Sequence, residues 1–332
     1  MKWYDIRDSR SKWRAFNFVV GGRGIGKTYS TASFMALGEG RGKFLYVRNY
    51  ETQIDTACTD IGNPFRKISE DSGHNIYMKK KKNFALIYDD AIEEKEQIGA
   101  AVHASRYISL KGMDLSWVDY IFFDEFIEDR ALQFDQGEAI KSIQETCNRN
   151  RELQGKPPVY MFMMSNSERL NNPALRTFGL IPVIEGMIKS GQTEWNSPTV
   201  HLELPRSEIS ELKRDTALYK SLDDNDSYKK MALENDFANE SFYGIGKKNL
   251  NEYIPFLNID YLYIYRHKSN GTYYVCTRPA SHIKKLTTRD NLMLFKTQYS
   301  VIFKVLIVKD AISYESFTVK SQFENILNIP AM

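Results

Sequence analysis

Between a short apolar run, Phe16–Val20, and a stretch rich in helix formers, Thr28–Leu37, the chain reads Gly21-Gly22-Arg23-Gly24-Ile25-Gly26-Lys27-Thr28. This is G-x-x-x-x-G-K-[ST] in full, in the strand-to-helix context such a loop requires. Its glycines open torsions closed to other residues, so that successive N–H groups converge on one anion. The following helix adds the positive end of its dipole. Read this way, Gly21 to Thr28 cradle a polyphosphate, Lys27 reaches the β- and γ-phosphates, and the Thr28 hydroxyl ligates Mg²⁺. The expected ligand is ATP with Mg²⁺. Arg23 is not demanded by the pattern and serves either as a solvated loop residue or as a contact to the γ-phosphate or a neighbour.

Further strand-like runs follow at Lys43–Val47, Asp119–Phe123 and Val159–Met164, with a hairpin at Asn75–Lys79 and Asn83–Tyr88 that turns through Lys79–Lys82. Helical stretches are expected up to about Glu70 and over Phe134–Leu153. This alternation predicts an α/β fold with a mostly parallel sheet and with sites at the strand carboxyl ends. Two strand ends carry chemistry. Asp119-Tyr120-Ile121-Phe122-Phe123-Asp124-Glu125 has the form of a Walker B motif, in which Asp124 holds Mg²⁺ through water and Glu125 polarises the attacking water. Ser165-Asn166 ends the next strand, where Asn166 either senses the γ-phosphate or caps a turn. No N-K-x-D guanine motif is present. The arginines of Asn148-Arg149-Asn150-Arg151-Glu152 sit near a helix end, a position favoured by the dipole alone and also suited to an arginine finger.

The 332 residues hold 45 Lys+Arg against 42 Asp+Glu, a net charge of +3 that excludes a histone-like polycation. From Tyr228 onward the count is 14 against 9, net +5, and the remainder is 31 against 33, net −2. Cys58, Cys147 and Cys276 form no C-x-x-C pair, and the five histidines show no metal spacing. With a polar N-terminus and no run of about 18 uncharged apolar residues, an intracellular protein without a membrane segment is expected. Three parts are expected: a P-loop domain over 1–197, a helical linker over 198–227 and a basic, β-rich domain over 228–332. The linker holds a strand at Val200–Leu204 and a helix at Glu208–Ser221. In the last part, Tyr261–Tyr265 and Thr272–Cys276 flank an Asn-Gly turn. Strands at Leu292–Phe295 and Val301–Val308 and a helix near Lys320–Leu327 complete it.

The segments Phe18–Thr28, Tyr46-Val47-Arg48, Phe123-Asp124-Glu125-Phe126-Ile127, Arg149-Asn150-Arg151-Glu152 and Ser165-Asn166 together resemble the DNA-packaging ATPases of φ29-like tailed phages. Met231–Phe237 and Leu286-Thr287-Thr288 carry the likeness into the C-terminal part. The resemblance implies an additional-strand, catalytic-glutamate (ASCE) ATPase domain of the FtsK–HerA type, a small helical linker, and a C-terminal domain like a degenerate RNase H nuclease. It implies a homo-oligomeric ring, pentameric in the family, that works in the host cytoplasm on the portal vertex of the prohead and pumps double-stranded DNA. It maps Lys27 and Thr28 to Walker A, Asp124 and Glu125 to Walker B, Arg149 to a finger acting in trans, and Lys111 to a lysine acting in trans. Asn148 stands where the family has an apolar residue, and the segment after Glu128 departs from the pattern. The family's founding member docks on a packaging RNA; no RNA-binding motif is present here, and that partner stays open. Two rivals remain. A terminase-type enzyme with an active C-terminal nuclease needs clustered carboxylates for two metals, and Asp260, Asp290 and Asp310 are each isolated in sequence. A non-catalytic, nucleotide-gated assembly protein would have no use for Glu125.

Overall fold

The computed structural model describes residues 2–90, 96–128, 132–167, 170–224, 226–234, 244–309 and 311–328. The chain forms two compact units, one of Met1–Phe178 with Met187–Glu240, the other of Gly179–Gly186 with Ser241–Met332.

The first unit is built on nine strands: β1 (Phe16–Gly21), β2 (Phe44–Arg48), β3 (Ile76–Lys80), β4 (Ala85–Asp89), β5 (Glu96–His103), β6 (Tyr120–Asp124), β7 (Tyr160–Asn166), β8 (Glu194–Asn196) and β9 (Val200–Glu203). Their order is β3-β4-β5-β2-β6-β7-β1-β9-β8. Pairs β3–β4, β4–β5 and β8–β9 are antiparallel and the rest are parallel. The central strands read as continuous apolar runs because helices cover both faces. Phe18, Phe44, Tyr46, Phe122, Phe123 and Phe162 are all fully buried, each contributing roughly 1.5–3 kcal/mol of transfer free energy.

The strand order decides where the chemistry sits. β7 lies between β1 and β6, so the loop strand and the acidic strand are separated by the strand that ends in Asn166. Gly21 stands opposite Asn166, and Asp124 opposite Met164. The phosphate loop, the acidic pair and Asn166 therefore share one rim of the sheet, the additional-strand arrangement that was expected.

Helices α1 (Lys27–Leu37), α2 (Glu51–Ala57), α3 (Arg66–Ser72), α4 (Gln136–Asn148), α5 (Pro173–Thr177) and α6 (Ile181–Ser190) connect the strands, and α7 (Glu208–Arg214), α8 (Ala217–Ser221) and α9 (Ser227–Glu234) follow β9. Several boundaries differ from the sequence reading. The single helix expected after Val47 is two, α2 and α3, divided around Gly62 and Pro64. The helix expected to reach Leu153 stops at Asn148, because Arg149 takes φ +44 and breaks the ladder. Val200–Glu203, expected to open the linker, is a strand of the main sheet paired to β1. β5 was not foreseen. Its Gly99, Ala100 and Ala101 favour no strand by propensity, but small residues are required there: a Cβ on Gly99 would lie 2.8 Å from the Phe44 ring.

β5 ends in His103, whose side chain is 3% exposed and whose Nε2 has no hydrogen-bond partner. Burial depresses its pKa from 6.5, partly offset by Glu51, and Arg106 and Lys80 add to the depression. A base with a depressed folded pKa contributes stability that is present above its unfolded pKa and lost as pH falls through the folded one. The denaturation midpoint should thus fall between pH 7 and pH 5, and His103→Gln should flatten that slope in urea titrations.

The second unit carries a five-stranded sheet in the order β13-β10-β11-β12-β14, from β10 (Tyr253–Ile259), β11 (Leu262–His267), β12 (Tyr273–Cys276), β13 (Lys284–Leu286) and β14 (Ile312–Tyr314). Two helices, α10 (Arg289–Val308) and α11 (Phe317–Asn328), complete a β-rich α+β unit. The expected Asn-Gly hairpin joins β11 to β12, with Gly271 at φ +74. The buried carboxylate of Glu185 accepts from the backbone N–H of Phe317 at 2.9 Å, which ties Gly179–Gly186 to this unit.

The strands expected at Leu292–Phe295 and Val301–Val308 are instead the single helix α10. Its β-branched residues suggested strands. The deciding features are Phe295, Tyr299 and Phe303 at four-residue spacing, stacked on one face with Phe323 of α11, and a Thr288 cap on the Asn291 N–H. Asn291–Val308 is also long and apolar enough, by length and composition alone, to cross a membrane. Lys296 and Lys304 interrupt it, and its aromatic face packs on the sheet. Of the isolated carboxylates, Asp310 and the side chain of Asp290 lie outside the described residues. Among the described residues no group of three or more His, Cys, Asp or Glu could hold a metal ion.

Candidate nucleotide site

β1 ends where Gly21 and Gly22 begin a loop that closes over Ile25, which is buried, and enters α1 at Lys27. Gly24 and Gly26 take φ +69 and +103, torsions that a side chain would strain. The Lys27 ammonium donates to the carbonyls of Gly21 at 3.0 Å and Gly22 at 2.7 Å, and to Asn166 Oδ1 at 3.2 Å. Thus the amine that reaches the terminal phosphates of a P-loop ligand already sits at the opening residues of the loop, beside the residue expected to sense them.

Thr28 Oγ1 donates to Asp124 Oδ1 at 2.9 Å. Asp124 is 3% exposed, and burial raises its pKa, with Arg48 opposing the rise and the Glu125 charge adding to it. A buried carboxylate beside a hydroxyl is a hard-oxygen pair of the kind Mg²⁺ takes through one or two protein oxygens. Both residues fit that ion. They line one cleft of about 290 Å³ with Gly24, Gly26, Lys27, Glu125, Ser165, Asn166, Trp3 and Tyr29.

Glu125 follows β6 with φ +50, a left-handed torsion costing of order 1–2 kcal/mol for a residue with a Cβ. Neighbours hold that turn. Asn49 Nδ2, fully buried, donates to the carbonyls of Glu125 at 3.0 Å and Phe126 at 3.3 Å, and Gln136 Nε2 of α4 donates to the Phe126 carbonyl at 2.6 Å. Strain fixed in this way is characteristic of functional positions. The Glu125 side chain, 54% exposed, pairs with Arg48, whose other amine lies 3.5 Å from Asp124.

Arg48, Asn49 and Gln136 were not singled out from sequence as site residues. The signal was there for the first two: both follow a buried strand, where polar residues of this sheet collect. Trp3 was missed for another reason, since nothing in the sequence links residue 3 to the loop, and Tyr29 follows Thr28 directly but lies outside the phosphate pattern. The structure links residue 3 to the loop through the Tyr4 N–H on the Ile25 carbonyl at 3.1 Å. Beyond Gly26 a second cleft, about 560 Å³, is lined by Trp3, Asp5, Tyr29, Ser33, Lys67 and Asp71 among others.

Arg149 and Lys111 do not line the nucleotide cleft. Arg149 is half exposed at the far end of α4, donating to the Met113 carbonyl at 3.0 Å and lying 3.9 Å from Asp114. Lys111 is exposed in the 3-10 segment Ala104–Gly112, which packs on α4. Arg151, by contrast, is anchored inward on Asp119 at 2.7 Å and the Val118 carbonyl at 2.9 Å. Arg23 is exposed. Of the lysines expected in the hairpin turn, Lys79 and Lys80 are the last residues of β3, and Lys80 is engaged by Glu51 and Asp55.

Sheet order, loop and acidic pair together define a P-loop protein of the additional-strand class. Residues 1–307 match the family described as podovirus DNA encapsidation protein (Gp16), and the chain belongs to that family. It is 26% identical over 317 residues to the DNA packaging protein of Bacillus phage PZA, spanning 89% of this chain and 88% of that one. To the DNA packaging protein of Bacillus phage B103 it is 28% identical over 251 residues, 73% of this chain and 70% of the other. The bacteriophage Phi-29 viral genome packaging motor assembly superposes with a TM-score of 0.65 at 21% identity, covering 98% of this chain and 99% of that one. The Phi-28 gp11 DNA packaging motor gives 0.62 at 19% identity over 99% and 98%. Both share the fold.

Proposed function

We propose that this chain is the ATP-hydrolysing subunit of a ring-shaped motor that drives double-stranded DNA into a phage prohead. The observation that carries this is the convergence of Lys27, the Thr28–Asp124 pair, Glu125 and Asn166 on one sheet rim. Family membership supplies the DNA. The loop amides and Lys27 bind the polyphosphate, with the base and ribose extending past Gly26 toward Trp3 and Tyr29. Thr28 and Asp124 would hold Mg²⁺, which would supply charge neutralisation for the polyphosphate. Glu125 accepts a proton from water as its oxygen bonds to the γ-phosphorus, and the bridging oxygen leaves with ADP. Asn166, at the end of β7, orients the Lys27 amine and reads the γ-phosphate.

Arg149 and Lys111, exposed outside their own cleft on two segments that pack together, act on the site of the adjacent subunit, so that turnover requires the ring. DNA is gripped through its phosphates, which makes transport sequence-tolerant and salt-sensitive. The net +5 share after residue 227 is where those contacts are sought. The ring works in the host cytoplasm, on the portal vertex.

The test is ATP binding and turnover, with and without linear duplex DNA, for wild type and Lys27→Ala. Binding by wild type, turnover stimulated by DNA, and loss of both in Lys27→Ala are expected. Nucleotide binding unchanged by Lys27→Ala would remove the assignment of the loop.

A further inference from the structure

The phosphate loop is backed by the segment that follows β9. A Cβ on Gly22 would lie 2.6 Å from the Ala232 carbonyl oxygen of α9, and one on Gly21 would lie 2.9 Å from the Pro205 ring. Glycine at position 22 is not required by the P-loop pattern, so this approach of two backbones gives it a second purpose. Pro205, Lys213 and Ala232 are absent from the cleft lining. Gly22 lines instead a separate hollow with Pro205, Ser210 and Leu233.

α7 ends in two basic residues with different surroundings. Arg214 is paired with Glu211 at 3.0 Å and Glu234 at 2.9 Å. Among the described residues Lys213 makes no ion pair; its ammonium donates to the Arg23 carbonyl at 2.5 Å. That amine would lie 2.4 Å from a Cβ on Gly24, so it sits against the Arg23–Gly24 peptide. Burial and the neighbouring Arg23 charge depress its pKa, so the cation is held there against an electrostatic cost.

A trans peptide carries its C=O and N–H on opposite sides, and no described peptide is cis. With the Arg23 carbonyl turned to Lys213, the Gly24 N–H points away from the Lys213 amine, and Gly24 itself lines the cleft. A charged donor on the carbonyl also polarises the amide and makes that N–H a stronger donor. We infer that Lys213 is a positioning residue for the nucleotide: it fixes the Arg23–Gly24 peptide with its N–H toward the phosphates and couples α7 to occupancy of the loop. This rests on the loop being a nucleotide site. Coupling is reciprocal by linkage, so nucleotide must in turn hold α7.

The experiment compares full-length wild type, Lys213→Met, which keeps the stem and removes the amine, and Lys213→Arg, which keeps a charged donor. ATP and ADP affinities are measured by titration calorimetry, and amide hydrogen exchange of residues 208–214 is followed with and without saturating ATP. Wild type should bind both nucleotides, and ATP should slow exchange in α7. Lys213→Met should bind both about tenfold more weakly, the size expected for one lost charge-assisted hydrogen bond. Even at saturation, ATP should no longer slow its α7 exchange, whereas Lys213→Arg should restore both readouts. Affinity equal to wild type in Lys213→Met, ATP-slowed exchange retained in it, or an equal loss in Lys213→Arg would each overturn the assignment. A wild type that binds neither nucleotide would overturn the nucleotide reading itself.

Discussion

Glu125→Gln should cut ATP turnover by about 10²- to 10⁴-fold, the span typical for loss of a general base, while ATP still binds. The amide keeps the shape of the side chain and cannot take the proton. The turn that carries it depends on Asn49 and Gln136 gripping main-chain carbonyls, so the substitution leaves the backbone at φ +50 undisturbed. Its present partner, Arg48, does not lock it. Arg48 is 17% exposed, but the Glu125 carboxylate is about half exposed and keeps a face open to solvent. A bound nucleotide with its metal can therefore draw the carboxylate away from Arg48. Phosphate release measured beside equilibrium ATP binding checks this, and turnover retained in Glu125→Gln would end the catalytic assignment.

Arg149→Ala should lose about 10³- to 10⁵-fold in turnover, the effect of an absent arginine finger, with nucleotide affinity and melting temperature close to wild type. The reasoning is positional. Arg149 lies outside its own cleft, half exposed, on weak local contacts to Met113 and Asp114. Arg151, two residues on, is held by Asp119 and Val118, so Arg151→Ala should lower the melting temperature instead. Mixing Arg149→Ala with Lys27→Ala subunits provides the decisive arm. Each is inactive alone, but in a mixed ring an intact loop can meet an intact arginine from its neighbour. Turnover should rise on mixing, and two inactive partners that assemble without rescue would contradict action in trans.

Much of the nucleotide site was legible because its chemistry requires particular residues at fixed spacing. The loop from Gly21 to Thr28, the pair Asp124–Glu125 and Asn166 all follow buried strands, and strand order brings them together. The residues that hold the site were not legible. Gln136 and Lys213 act through contacts between segments distant in sequence, and no local pattern marks such contacts. The same limit explains β5, where glycine and alanines make a strand only because Phe44 needs the space. It also explains α10, where β-branched residues argued for strands and aromatic packing on the sheet decided for a helix. Propensity gave way to tertiary context in both.

The central claim is that hydrolysis at this site moves DNA. Its most direct measurement is the amount of duplex DNA protected from nuclease when chain, empty proheads and ATP are combined, with ADP production followed in the same samples. Protection and ADP production should rise together for wild type and vanish together for Glu125→Gln. Protection by Glu125→Gln equal to wild type, or ATP turnover by wild type with no DNA protected, would contradict the account.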